Sequence, residues 1–500
     1  MPTRQPDVLP DRRSPRAFRL ETLAALSAGL LAGCGTPGVR GVAGTAPAPN
    51  VFWTPPPEGR AATLTPALLP PDLAGRVAQL KLADVIDIAL HNNTATAAAW
   101  ADARSAAASY GAAQGQYYPT LSLDGTVTAI KTVPSAGRLA TKQQFLNPTL
   151  NLSWLLFDFG GRSGSIGVAR QALLAADWTH NATLQSVVLD VEQAYFDYLG
   201  TQSLLGAQQT TLKEAQTNLE AAEQRHNVGL ATIADVLQAR TALSQARLAL
   251  EATEGRLQTT RGALALSMGL PANVPYDLAL PSDTTVPPGI SDSVDALIER
   301  AVRGRPDLAA ERARAAAVRA RLSVARSQAL PSLSVGGTTA ETDFLSGRPF
   351  FRNSYTATLT LSIPLFSGGS QIYDVKAAAA AADAAALRAH GFEQQVIYQV
   401  FNAYYALRTA TQQVRTGIDL LASATQSEQV ALGRYRAGAG SLLDLLTAQA
   451  ALASARADAI AARFSWYLAL AQLAHDTGVL GLDGGTPLHL QTDSTGTPNR

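Results

Sequence analysis

The chain has 500 residues, and its 40 Lys and Arg against 39 Asp and Glu are spread along it without a basic block. That balance excludes the electrostatic footprint of a nucleic-acid binder, and one Cys excludes a disulfide framework. Ala is abundant and is the strongest intrinsic helix former, so most of the chain is expected to be helical.

The N-terminus reads as a processed leader. Arg12, Arg13, Arg16 and Arg19 precede the short apolar run "LAALSAGLLAG", and small residues lead to Cys34. That run is shorter than the roughly 20 apolar residues a membrane-spanning helix needs. "LAGC" resembles a bacterial lipobox, which implies a signal peptide over 1–33 and acylation of Cys34. Gly35, where Asp would retain a lipoprotein at the inner membrane, favours the outer membrane. Residues 34–79 are rich in Pro and Gly, including "TPPPEG", and read as a tether with little secondary structure of its own.

From Leu80 a helix is expected to run to Tyr118, stopped by Pro119, since Pro disfavours helix at the residue before it. The hydrophobic period then changes from about 3.6 to 2. Leu121, Leu123, Gly125, Val127 and Ala129 alternate with polar or small neighbours, as do Leu150, Leu152, Trp154 and Leu156, giving half-buried strands at about 120–131 and 145–158. Gly160 and Gly161 mark the return to a helix that no Pro interrupts until about Val228. A Gly-containing tip at about 226–234 leads into another helix, whose seam is Val236, Leu243, Leu250, Leu257 and Leu264 with Ala239 and Ala246. Seven-residue spacing of this kind predicts left-handed coiled-coil packing.

The same plan then repeats. A helix from about Ser291 to Leu330 stops before Pro331, strands follow at about 332–344 and 354–366, and Gly368 and Gly369 lead into a helix from Ser370 to about Ala437. A second tip at about 435–443 precedes a helix seamed by Ala448, Ala455, Ala462 and Ala469. "RHNVGLATIADVLQAR" (Arg225–Arg240) corresponds to "RYRAGAGSLLDLLTAQ" (Arg434–Gln449), 209 residues on (434 − 225). A repeat this long is a duplicated half-domain rather than a solenoid unit, with halves at 80–290 and 291–480. Residues 481–500 read as a flexible tail. At the strands, Tyr117, Tyr118, Phe157, Phe159 and Phe366 are expected at one membrane level and Phe344, Phe350, Phe351 and Tyr355 at the other.

Four strands cannot close a barrel in lipid, because each unpaired backbone group there costs several kcal/mol, so further copies must supply the missing edges. A twelve-stranded trimer leaves room for a conduit, whereas eight strands fill with their own side chains. No G-x-x-x-x-G-K-[ST] loop or G-x-S-x-G elbow occurs, and His91, His180, His226, His390, His475 and His489 are dispersed. Nothing points to an enzyme, a cofactor or a metal.

The tips "NVGLATIADVLQAR" and "RAGAGSLLDLLTAQ", the returns "LLFDFGG" and "PLFSGG", and "RPDLAAERARAAAVRARLSVARSQALPSLSV" resemble the TolC-like outer-membrane efflux proteins, lipoprotein branch. The resemblance covers about residues 80–480. It implies a mainly α chain with membrane β-strands, its duplicated halves forming one third of a trimeric β-barrel and periplasmic α-barrel. It further implies a passive exit duct working with a periplasmic adaptor and an inner-membrane pump, of proton-driven RND type for small molecules. The alternatives are the exit duct of a type I protein secretion system and, from another class, a periplasmic adaptor lipoprotein. Carried over by position, Val228, Gly229, Leu230, Ala437, Gly438 and Ala439 match adaptor-docking tips, Leu443 and Asp444 match the pore's narrowest part, and Tyr435 and Asp235 match gate-latching groups. Two departures stand out: Gly440 occupies a place where some relatives carry Arg, and Thr447 one where many carry a second carboxylate.

Overall fold

The computed structural model describes residues 45–46, 48–54, 80–132, 141–273, 276–278, 289–290, 292–345, 351–480 and 490–491. The expected signal peptide, Cys34 and Phe350 lie outside them. In chain order the elements are α1 (Leu82–Asn92), α2 (Thr94–Gln114), a 3-10 turn (Gly115–Tyr117), β1 (Thr120–Thr132), β2 (Thr141–Phe157), α3 (Gly161–Asn227) and α4 (Ile233–Ser267). The second half gives β3 (Gly289–Ile290), α5 (Val294–Gly304), α6 (Pro306–Ser327), β4 (Ser332–Phe344), β5 (Phe351–Ser362), α7 (Ser370–Arg436) and α8 (Leu442–Asp476), and β6 (Leu490–Gln491) is the last element among the described residues. Each long helix, α3 and α7, has 67 residues, about 100 Å at 1.5 Å per residue.

Strands β1, β2, β4 and β5 form one antiparallel sheet in the order β1-β2-β4-β5. Its register places Leu121 beside Leu152, Leu123 beside Leu150, and Val335 beside both Trp154 and Leu359, so one face is apolar over the half of the sheet nearer the helices, with Lys131, Lys142, Glu341 and Asp343 at its far end. The other face is polar. There Asn151 donates to Asp124 at 2.7 Å, Thr338 donates to Asn151 at 3.3 Å, and Thr342 to Asn147 at 3.2 Å. The expectation of half-buried strands is corrected: Leu121, Leu123, Val127, Leu359 and Leu361 are exposed in the single chain. A sheet with lipid outside and water inside has no protein layer to bury that face.

The helices continue the order of the sheet. Nearer the strands α3 lies between α2 and α6, and α6 packs on α7; toward the tips α3 packs on α4 and α8, and α8 on α7. Two clusters mark the waist between these layers. One gathers Val85, Val187, Val191, Leu199, Leu264 and Met268, the other Leu297, Leu308, Val396, Val400, Trp466 and Leu473. Burying side chains of this size contributes roughly 1.5–3 kcal/mol each.

The structure corrects the element reading in several places. The expected helix at 80–118 is two helices broken at Asn93, and its counterpart at 291–330 is broken at Arg305, where the backbone is extended. Asn93 caps α2 through its side chain, and Pro306 forces Arg305 out of the helical region. Strand β5 stops at Ser362, so Ile363, Leu365 and Phe366 fall outside it, ahead of and after Pro364. Tyr355 is opposite Thr339, mid-strand, rather than at the level of Phe344. Part of the expected tether is docked: Trp53 exchanges two hydrogen bonds with Asn181 at 2.7 and 2.6 Å, and Trp100 donates to the Ala46 carbonyl at 2.7 Å. Leu490 and Gln491 of the tail pair with Ile290 and Gly289.

Candidate functional site: the two hairpin tips

Each long helix ends in the same hydrogen-bonded lock. At the first tip the Leu230 N–H donates to the Arg225 carbonyl at 2.7 Å and the Gly229 N–H to the His226 carbonyl at 2.9 Å. At the second tip the Ala439 N–H donates to Arg434 and the Gly438 N–H to Tyr435, at 2.9 and 3.2 Å. This pattern needs a left-handed residue at the turn, and Gly229 and Gly438 supply it with φ of 80° and 72°.

The return helices begin with matching capping boxes. Asp235 N–H donates to the Thr232 hydroxyl at 3.2 Å while the Asp235 carboxylate accepts from Thr232 N–H at 2.8 Å. Ser441 and Asp444 repeat the exchange at 3.1 and 3.3 Å. Asp235 and Asp444 are therefore helix-capping groups in the single chain, the first half-buried and the second exposed. The hydrogen bonds from Ser441, with a smaller contribution from the Arg434 charge, hold the Asp444 carboxyl below its ordinary range. Within one chain the cap thus favours the charged form of Asp444.

Tyr435 is buried with Ala222, Val236, Ala239, Leu442 and Leu445, where the two hairpins meet. The Arg225 guanidinium lies 4.5 Å from its ring centre and donates to its carbonyl at 3.3 Å. The structure thus places Tyr435 in the packing between the tips, held through its ring and backbone by a residue of the first half. Farther from the tips, Asn218 of α3 donates to Gln449 of α8, and Arg456 of α8 is held by both carboxylate oxygens of Glu214 at 3.1 and 3.2 Å. None of these partners in the first half was singled out from sequence, because each lies more than 200 positions from the residue it holds.

Val228, Leu230, Ile233 and Leu237 are exposed around the first tip, and Leu443 at the second. The tips therefore differ: one is an apolar knob, the other carries Arg434, Arg436 and Asp444 among small residues. Gly440 also has a local cause. A Cβ there would lie 3.1 Å from that of Arg434, so a larger residue would press the loop away from the end of α7. Thr447 donates to the Leu443 carbonyl at 2.8 Å within its own helix. In the seam of α8, Leu445, Leu452, Trp466 and Leu473 are buried more deeply than the Ala448, Ala462 and Ala469 of the expected row.

Comparison with known proteins agrees with this architecture. Protein CyaE of Bordetella pertussis is 31% identical over 436 residues, covering 86% of this chain and 91% of the relative. The probable efflux pump outer membrane protein TtgC of Pseudomonas putida is 25% identical over 395 residues, covering 77% and 80%. The crystal structure of outer membrane protein VceC from Vibrio cholerae superposes with a TM-score of 0.71 at 20% identity, covering 79% of this chain and 96% of that one. The family described as outer membrane efflux protein matches residues 85–270 and 297–479, once in each half, and the chain belongs to that family.

Proposed function

We propose that three copies of this chain form a passive exit duct through the outer membrane of a Gram-negative bacterium, fed by an inner-membrane pump through a periplasmic adaptor. The observation that carries this reading is the sheet with two open edges, apolar outside and polar inside, set on hairpins about 100 Å long. Identical copies joining β5 of one to β1 of the next close the barrel and satisfy every strand edge. The tips Val228–Leu230 and Ala437–Ala439 are then the far end of the duct and the docking place of the adaptor. Asp444 and Leu443 ring the aperture. The cargo is small molecules and the pump is of the proton-driven RND type, a choice supported by the efflux-pump name of the TtgC relative. Cys34 carries the lipid that adds a second hold on the outer membrane.

Photo-crosslinking residues at Val228 and Ala439 in cells, with trapped partners identified by mass spectrometry, test the duct reading. The adaptor of a proton-driven transporter is the expected catch. An adaptor linked to an ATP-driven secretion pump would replace small molecules by protein as cargo, and no catch at either tip would remove the docking assignment. Incorporation of an alkyne-tagged palmitate, abolished in Cys34→Ser, is the expected sign of the anchor.

A further inference from the structure

Arg456 and Arg463 on α8 are seven residues apart and share one position of the heptad. They meet different surroundings on α3. Arg456 has the bidentate partner Glu214. Helices α3 and α8 run antiparallel, and the ties Glu214–Arg456 and Asn218–Gln449 set their register. Carried one heptad toward the waist, that register brings Ala207 opposite Arg463. An acid at 207 would repeat the ion pair. Ala leaves Arg463, a half-buried residue, without a hydrogen bond, ion pair or ring partner among the described residues.

The omitted side chain leaves a space. A cavity of about 250 Å³ lies here, walled by α3, α7 and α8, with Arg456 and Arg463 at its polar side and Leu199, Leu421, Ile460 and Phe464 among its apolar walls. An unpaired cation beside apolar walls is an arrangement that a counter-ion completes. The cavity is open to the surface of the chain, so a group that completes it can enter from solvent: an anion small enough for the space and apolar enough for its lining. We propose that this cavity is a binding site for a small anionic amphiphile, a carboxylate on a short aliphatic or aromatic body, ion-paired to Arg463. Carboxylate and guanidinium match in planar, two-bond geometry, and the apolar body covers Phe464 and Ile460. The site is independent of whether the chain works as an efflux duct, since its occupancy is read on the purified protein.

Titration calorimetry of the purified trimer in zwitterionic-lipid nanodiscs with hexanoate, and with hexanamide as its uncharged counterpart, tests the proposal. Saturable binding of one hexanoate per chain is expected, with hexanamide at least ten-fold weaker. Arg463→Gln should weaken hexanoate at least ten-fold, and Ala207→Glu, which supplies the missing partner from within, should abolish binding in a trimer that still assembles. Equal binding of the two probes, no saturable binding, or unchanged hexanoate affinity in an assembled Ala207→Glu trimer would each overturn it. So would an acid from a neighbouring copy found on Arg463.

Discussion

Asp177 of α3 is fully buried and, among the described residues, neither of its carboxylate oxygens has a hydrogen-bond partner. Burial pushes its pKa up from 3.8 to about 8. Because the folded value is the higher one, folding opposes ionisation: the penalty is absent below the unfolded pKa of 3.8, grows as pH rises, and is complete above about 8. Asp177→Asn should therefore raise the thermal midpoint at pH 8, by an amount on the order of 1–3 kcal/mol in stability, and leave it nearly unchanged at pH 4. A gain of the same size at both pH values would show that packing, not charge, is responsible. His180 and Asn181, three and four residues further along the helix, hold Val51 and Trp53 of the N-terminal strap. At this scale the sequence is a partial guide. Thr232, Asp235, Ser441 and Asp444 announce their caps because a cap is a local pattern of four residues. The burial of Asp177 depends on what the fold lays across it, and no neighbour in the chain signals it.

Each half joins its helices at the waist by the same close approach. Gly269 and Gly478, 209 residues apart (478 − 269), end the return helices with φ of 73° and 75°. A Cβ on Gly269 would lie 2.7 Å from the carbonyl of Asn92, and one on Gly478 would lie 3.3 Å from the backbone of Arg305. These turns sit directly against the breaks in the helix pairs. The first is fastened by neutral groups, with Asn93 donating to the Ser267 carbonyl at 3.4 Å. The second is fastened by buried Arg305, which binds Asp307 and donates to Gln399 at 2.7 Å. Gly269→Ala combines left-handed strain of about 1 kcal/mol with a backbone collision, whereas Gly229→Ala meets open space at the tip and keeps only the strain. The yield of assembled trimer should fall sharply for the first and modestly for the second, a difference gel filtration resolves. Long helices, strands and tips were legible because period and Gly placement are local. The breaks were half-legible: the offset of 209 pairs Gly269 with Gly478, and Arg305-Pro306 carries its own signal, but Asn93 looks like any polar residue in a helix until the glycine that presses on it is located.

For the whole molecule, the fold makes some properties of a single chain and others of three. The seam between the two hairpins, from Glu214–Arg456 down to Arg225 on Tyr435, is complete within one copy. In the proposed duct the ring of Asp444 would form only on assembly of three copies. Three such carboxylates, each kept below the ordinary range by Ser441, would favour cations at the proposed aperture, and planar-bilayer recordings of Asp444→Ala should then show reduced cation selectivity and higher conductance. Identical recordings from the two proteins would remove Asp444 from the gate. The locked turns on either side of it imply that any opening moves whole helices, since neither tip has a loose loop to swing aside.

The two bare edges of the four-stranded sheet also govern how such a protein is made. Hairpins sealed within one chain can fold at any concentration, but β1 and β5 find partners only by encounter, so barrel closure is a reaction between molecules whose rate climbs steeply with their number. Until then each copy carries an apolar sheet with exposed edges through water, the form most prone to aggregate. Expression level is thus as much a part of this duct's biogenesis as its sequence.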